Sequence, residues 1–180
     1  MDITARLNPG ENLGDRILKV DHAGEHGAVN IYRGQALVSK WRAPAIVDEL
    51  QAFQHHEEGH RKLFLIEMQR RGVRRCRSYH FCGVGGWLLG VSTGLLGPSA
   101  VAATTVAVES VVLRHLEAQL QCLRGPDPKA HASVEAIVHE EREHHDRAAL
   151  ISRQGTFWPR IITPIVRSST EAVIWLGMRL

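Results

Sequence analysis

Cysteine is scarce in this 180-residue chain: Cys76, Cys82 and Cys122 are odd in number and show no CxxC spacing. That excludes a disulfide framework and a zinc knuckle, and fits a reducing compartment. Period-two alternation is also missing, because the short β-branched runs are embedded in helical patterns, so no strand is expected. Without a strand, GVGGWLLG at 83–90 is no dinucleotide-binding fingerprint, and a dedicated nicotinamide domain is not expected. The N-terminal MDITARLNPG has neither an apolar signal core nor the Arg-rich, acid-poor character of a presequence, so no targeting segment is expected there. Charge is missing from one long stretch, since no Asp, Glu, Lys or Arg occurs from Ser78 to Val108. Its length would suit a membrane span. Gly97 and Pro98 divide it, however, and its second half runs into Glu109. Two helical pieces, buried partly in the core and partly in a membrane surface, are expected instead.

Apolar residues make up 44% and charged residues 23% of the chain, an ordinary globular balance. A length of 180 supports one core better than two, so residues 1–180 are read as a single domain with residues 1–14 as a flexible N-terminus. The net charge is only +3, and the excess is local: Arg70, Arg71, Arg74, Arg75 and Arg77 fall close together. Such a run either meets anionic phosphates or lipid headgroups, or is a solvated helix end. Eleven histidines, many beside glutamates, make metal binding the first chemistry to test.

Helical periodicity runs from about Asp15 to Ser39 and again from about Ala45 to Arg71, where Gly72 serves as terminator. Ile46, Leu50, Phe53 and Phe64 recur at helical spacing on the second segment. A third helix continues from the uncharged stretch to about Leu123, and a fourth runs from about Pro128 to Ser152, with Val134, Ile137, Ala148 and Ile151 inward. Gly155 and Pro159 mark a break before a fifth helix that closes the chain. Short connections make antiparallel hairpins.

Glu57 and His60 form an ExxH pair, as do Glu141 and His144, and three residues apart on a helix share a face. Composition alone supplies roughly one such pair. Position changes the odds, because the second pair lies 84 residues after the first and Glu109 lies 84 residues after Glu25. Gln35 and Gln119, and His55 and His139, keep the same offset. The chain therefore reads as two hairpins of one plan, each giving a Glu from its first helix and an ExxH from its second. All six residues continue apolar stripes; Glu25, for example, precedes Ala28, Val29 and Tyr32. Buried carboxylates need compensation, and two shared divalent cations provide it. Four carboxylates with two imidazoles suit iron or manganese better than zinc, a ligand set of ferritin-like bundles. The remaining histidines, His22, His26, His55, His56, His115, His139 and His145, are surface residues or groups that orient ligands, with His115 the first to test; Asp146 is another such group.

The stretches DRILKVDHAGEHGAVNIYRGQ at 15–35, HHEEGH at 55–60, LLG and TVAVES around 95–110, and EEREHHD at 140–146 resemble the demethoxyubiquinone hydroxylase family of ubiquinone biosynthesis. The resemblance implies an all-α, ferritin-like four-helix bundle of two repeated hairpins, with a fifth C-terminal helix and an interrupted apolar segment. It implies that Glu25, Glu57, His60, Glu109, Glu141 and His144 hold two Fe ions and are the catalytic set. It further implies a monooxygenase that uses O2 and NADH on a polyprenylated benzoquinone or quinol at the penultimate stage of ubiquinone synthesis. Expected partners are that substrate, a membrane surface, a lipid-binding or biosynthetic-complex protein and a second copy of the chain, but no nucleic acid. The expected location is peripheral, on the cytoplasmic face of a bacterial inner membrane or the matrix face of the mitochondrial one. Two departures from the family pattern are His26 and Trp175, where it often has Tyr. They bear on quinone contacts and electron delivery. A ferritin-like ferroxidase or iron store, and a membrane-bound interaction protein with adventitious metal, are the competing readings.

Overall fold

The computed structural model describes residues 3–152 and 157–180, and among these it contains six α-helices and no strand. They are α1 (Leu13–Arg42), α2 (Val47–Arg70), α3 (Tyr79–Leu96), α4 (Pro98–Leu123), α5 (Pro128–Ser152) and α6 (Phe157–Gly177). A capping box starts α1: Asp15 N donates to Asn12 Oδ1 at 2.8 Å and Asn12 N donates to Asp15 Oδ2 at 3.2 Å, which satisfies two otherwise orphaned amides. Between α1 and α2 lies only a 3-10 turn, Pro44–Ile46, so the two helices fold back on each other. Gly97, at φ +96°, makes the break between α3 and α4, and Pro98 then takes the first helical position, where its missing N–H costs nothing.

Two apolar clusters bracket the middle of the bundle formed by α1, α2, α4 and α5. One contains Ile17, Leu18, Phe64, Met68, Leu116, Leu123, Val134 and Ile137. The other contains Tyr32, Ala36, Leu50, Phe53 and Val101. Their order along the helices makes α1 antiparallel to α2 and α4 antiparallel to α5, with α3 as the crossover between hairpins. Glu25, Glu57, His60 and Glu109 lie between the two clusters in chain order, and Glu141 and His144 lie between Ile137 of the first and Ala148, which shares a small pocket with Leu50, Phe53 and Val101 of the second, so apolar packing closes both ends of the layer that contains them. The third helices extend the plan: α3 lies along α1, and α6 lies along α4. Each hairpin thus carries a third helix packed along its first.

Some expectations shift in detail. Pro159 stands in the first turn of α6 rather than before it, a position that tolerates proline, while Gly155 falls outside the described residues. Residues read as a flexible N-terminus carry bonds: Arg6 N donates to Met178 O at 2.9 Å, and Glu11 accepts from Arg16 and Lys19. The arginine run is partly structural. Arg71 bridges Asp15, Glu67 and Asp127, Arg70 pairs with Glu67, and Arg75 sits over the Tyr79 ring. By length and composition α4 could cross a membrane, but 61% of its most apolar window is buried inside the protein, the pattern of a core helix.

Candidate metal centre

All six residues come together, and all are buried. Glu25 projects from α1, Glu57 and His60 from successive turns of α2, Glu109 from α4, and Glu141 and His144 from successive turns of α5. They form two overlapping groups in which one ligand atom per residue lies within 4.8 Å of the others. One is Glu25, Glu57, His60 and Glu141; the other is Glu57, Glu109, Glu141 and His144. Glu57 and Glu141 therefore belong to both.

The imidazoles are turned so that one nitrogen meets the carboxylates and the other is held from behind. His60 Nδ1 lies 2.9 Å from Glu141 Oε1 and 3.6 Å from Glu57 Oε2, while its Nε2 is 2.8 Å from Glu140 Oε2. His144 Nδ1 lies 3.0 Å from Glu57 Oε1, and its Nε2 is 3.0 Å from His56 Nδ1. Such outer contacts fix ring orientation. Tyr32, one helical stripe along from Glu25, donates its hydroxyl to Glu109 Oε1 at 3.0 Å.

Electrostatics divide the carboxylates. Burial pushes Glu25 well above the ordinary carboxylate range, with repulsion from Glu57 and Glu141 adding to it. Glu109 is raised the same way, by burial and then by Glu141 and Glu57. Burial also acts on Glu57, but the close imidazoles of His144 and His60 outweigh it and hold this carboxyl low. His60 is raised: burial opposes its charge, yet contacts with Glu141, Glu25 and Glu57 dominate. Four carboxylates facing two imidazoles carry more negative charge than protons on two rings can balance.

The residues fit divalent cations on a further count. Glu57 Oε1, His60 Nδ1, Glu141 Oε2 and His144 Nδ1 are buried without a hydrogen-bond partner. The short His–Glu approaches therefore lack hydrogen-bond alignment. Buried orphans cost free energy, and metal ligation is what this mixed carboxylate and imidazole set offers in exchange.

A cavity of about 340 Å³ reaches this layer, bounded by α1, α3, α4 and α6. Glu25, Glu57, Glu109 and Glu141 stand in its wall, and the remainder is mostly apolar, including Ile31, Leu89, Val108, Val112, Val173 and Ile174. Sequence reasoning missed Glu140, which acts across helices with no periodicity to betray it, and Asp21, which also lines the cavity. The other histidines separate. His56 touches His144, and His115 lines the cavity and pairs with Glu171 at 2.8 Å. His22 and His26 stack on Tyr79. His55 and His139 are exposed, and His145 pairs with Asp146 at 3.0 Å on the surface. Trp175 is also exposed, under the Arg179 guanidinium.

Residues 12–177 match the model of the family described as ubiquinone biosynthesis protein COQ7. The chain is 34% identical over 168 residues to 3-demethoxyubiquinol 3-hydroxylase of Rhodospirillum rubrum, covering 93% of this chain and 78% of the relative. It is 33% identical over 171 residues to the mitochondrial NADPH-dependent 3-demethoxyubiquinone 3-hydroxylase of Mus musculus, covering 92% and 77%. It is 28% identical over 181 residues to the mitochondrial 5-demethoxyubiquinone hydroxylase of Saccharomyces cerevisiae, covering 92% and 78%.

Proposed function

The chain belongs to the family of the ubiquinone biosynthesis protein COQ7 and is a hydroxylase of that pathway; we propose that it hydroxylates the ring of a polyprenylated demethoxyubiquinol at two iron ions held by Glu25, Glu57, His60, Glu109, Glu141 and His144. The observation that supports this reading is that the two ligand groups share Glu57 and Glu141, so that one connected set of residues would hold two neighbouring ions. When bound, the irons supply O2 activation and transfer of one oxygen atom to the ring. The protein does the rest. Glu140 and His56 hold the imidazoles in register, and the Tyr32 hydroxyl steadies Glu109. The apolar clusters on either side exclude water, and the cavity brings a ring to the carboxylates.

The outward faces of α3 and α6 supply the setting. Phe81, Val84 and Leu88 on α3 and Phe157, Ile161 and Ile165 on α6 are exposed, and both helices border the cavity. These faces lie on a membrane surface, from which a prenylated substrate enters without crossing water. The mouse relative is named NADPH-dependent while the Rhodospirillum rubrum and yeast names give no electron donor; a reduced nicotinamide dinucleotide, NADH or NADPH, is the proposed electron source. An iron store would need no apolar cavity ending on its ligands.

The test joins metal content to complementation. After anaerobic Fe(II) loading, Glu57→Ala and Glu141→Ala lose both ions, because each residue serves both groups, whereas Glu25→Ala and Glu109→Ala each retain one. In a strain lacking its own hydroxylase, the native chain restores ubiquinone and none of these variants does. Full iron content in Glu57→Ala, or a demethoxylated precursor that persists with the native chain, refutes the assignment.

A further inference from the structure

The cavity is apolar on most of its wall, yet it holds one polar pair that the metal centre does not use. Asp21 stands on α1 one turn before Glu25, and Gln119 stands on α4; both line the cavity. Gln119 Nε2 donates to Asp21 Oδ1 at 2.9 Å. That bond spends a donor and leaves two acceptors, since Asp21 Oδ2 and Gln119 Oε1 are both buried with no partner. Two unmet acceptors side by side in an apolar wall ask for a ligand that donates, and they penalise one that can only accept.

Resting on the functional reading above, we propose that Asp21 and Gln119 anchor the substrate ring by its hydroxyl and so select the reduced quinol over the oxidised quinone. A quinol hydroxyl donates a hydrogen bond to either orphan oxygen. A quinone presents only carbonyl oxygens, which would face the same oxygens with no hydrogen between them. The spacing suits a ring: four residues along α1 separate Asp21 from Glu25 by about 6 Å of helix axis, comparable to the distance between the two oxygens of a hydroquinone. A ring anchored at Asp21 by one hydroxyl therefore points towards the carboxylate layer. Burial raises the Asp21 carboxyl to about 7, so near neutrality this group readily gains and loses a proton, and a donated hydrogen bond favours its ionised form. The relatives are named for different redox forms of the ring, quinol for that of Rhodospirillum rubrum and quinone for that of Mus musculus. The orphan acceptors favour the quinol.

The experiment uses the full chain loaded with Mn(II), which passes no electrons to a quinone, in anaerobic buffer at pH 8, where Asp21 is ionised. Binding is measured by calorimetry with three probes: a methoxy-methyl benzoquinol bearing one isoprene unit, the corresponding quinone, and the quinol dimethyl ether. The native chain binds the quinol at least about tenfold more tightly than the other two, as expected for a site whose buried polar groups need a hydroxyl. Asp21→Asn keeps an oxygen for Gln119 and puts an NH2 where Oδ2 stands, so it abolishes or inverts the preference. Asp21→Leu with Gln119→Leu removes every one of these acceptors, so it weakens the quinol about tenfold and leaves the quinone and the ether unchanged, and it decides the matter if Asp21→Asn does not fold. A merely structural pair would alter all three probes alike. Equal binding of quinol and quinone by the native chain, or a preference that survives in both variants, overturns the inference while leaving the hydroxylase assignment standing. Failure to bind any of the three probes overturns both.

Discussion

Gly90→Ala should destabilise the protein although it adds a good helix former to a helix. Alanine in a helix interior is favoured over glycine by about 1 kcal/mol. At Gly90, however, a Cβ would stand 2.1 Å from the carbonyl oxygen of Ile31 on α1. That obstacle is backbone and cannot rotate away. Gly86 and Gly34 describe the same seam, with Gly27 O at 2.3 Å and Trp87 O at 2.8 Å from the added atoms. Ordinary contact at Gly90 requires α1 and α3 to part by about 1 Å locally, and overpacking of this kind costs about 1–3 kcal/mol, towards the upper end where both sides are main chain. Net of the helix gain, a loss of about 2 kcal/mol is expected. For a chain of this size that lowers the melting temperature by about 4–8 °C.

The control lies on the same helix. An added Cβ at Gly85 meets nothing within 4 Å, and the same holds for Gly59 on α2. Gly85→Ala and Gly59→Ala therefore raise the melting temperature by about 2–4 °C. Calorimetric or circular-dichroism melts of the three variants check this, and a Gly90→Ala protein that melts above the native one refutes the account of the seam. Because Gly27, Ile31, Gly86 and Leu89 also line the cavity, Gly90→Ala should raise KM for the prenylated ring more than it lowers kcat.

Three further outcomes are expected. In chelator, stability should fall as pH rises from 6.5 to 8: burial raises Glu25 and Glu109, and carboxylate contacts raise His60, so the folded chain binds more protons than the unfolded one in that window. With metal bound those protons are displaced, so the trend vanishes or reverses in melts taken with Fe(II) or Mn(II), and a falling trend in both states would contradict the assignment. Arg71→Gln breaks contacts of 2.6–3.2 Å to Asp127, Glu67 and Asp15 among side chains less than a fifth exposed, and should cost about 2 kcal/mol, less than a fully buried network; an unchanged urea midpoint would remove that role. Val84→Ser with Leu88→Ser takes two exposed apolar side chains from α3 and should weaken sedimentation with phospholipid vesicles at least about tenfold, and undiminished binding would move the membrane face elsewhere.

Six residues could be picked out in the sequence because each is fixed twice, by an apolar helical face and by a partner 84 residues away. Residues one helix turn apart obey local geometry, so Glu57 with His60 and Glu141 with His144 show as ExxH. Their supports obey no such rule. Glu140 reaches His60 from another helix, and Asp21 meets Gln119 across 98 residues. Only the packed bundle creates those neighbours. The same distinction explains why the repeat fades after the hairpins. The carboxylate layer constrains α1, α2, α4 and α5 residue by residue, so matching positions keep matching chemistry. Beside α1, α3 needs only the absence of a side chain at Gly86 and Gly90, where backbone meets backbone. Beside α4, α6 packs through Ile162 and Val166. One architecture is reached by opposite means, glycine on one side and branched apolar residues on the other. No residue-by-residue comparison of the halves would reveal it, yet it is these two dissimilar helices that wall the cavity leading to a symmetric layer of carboxylates and imidazoles.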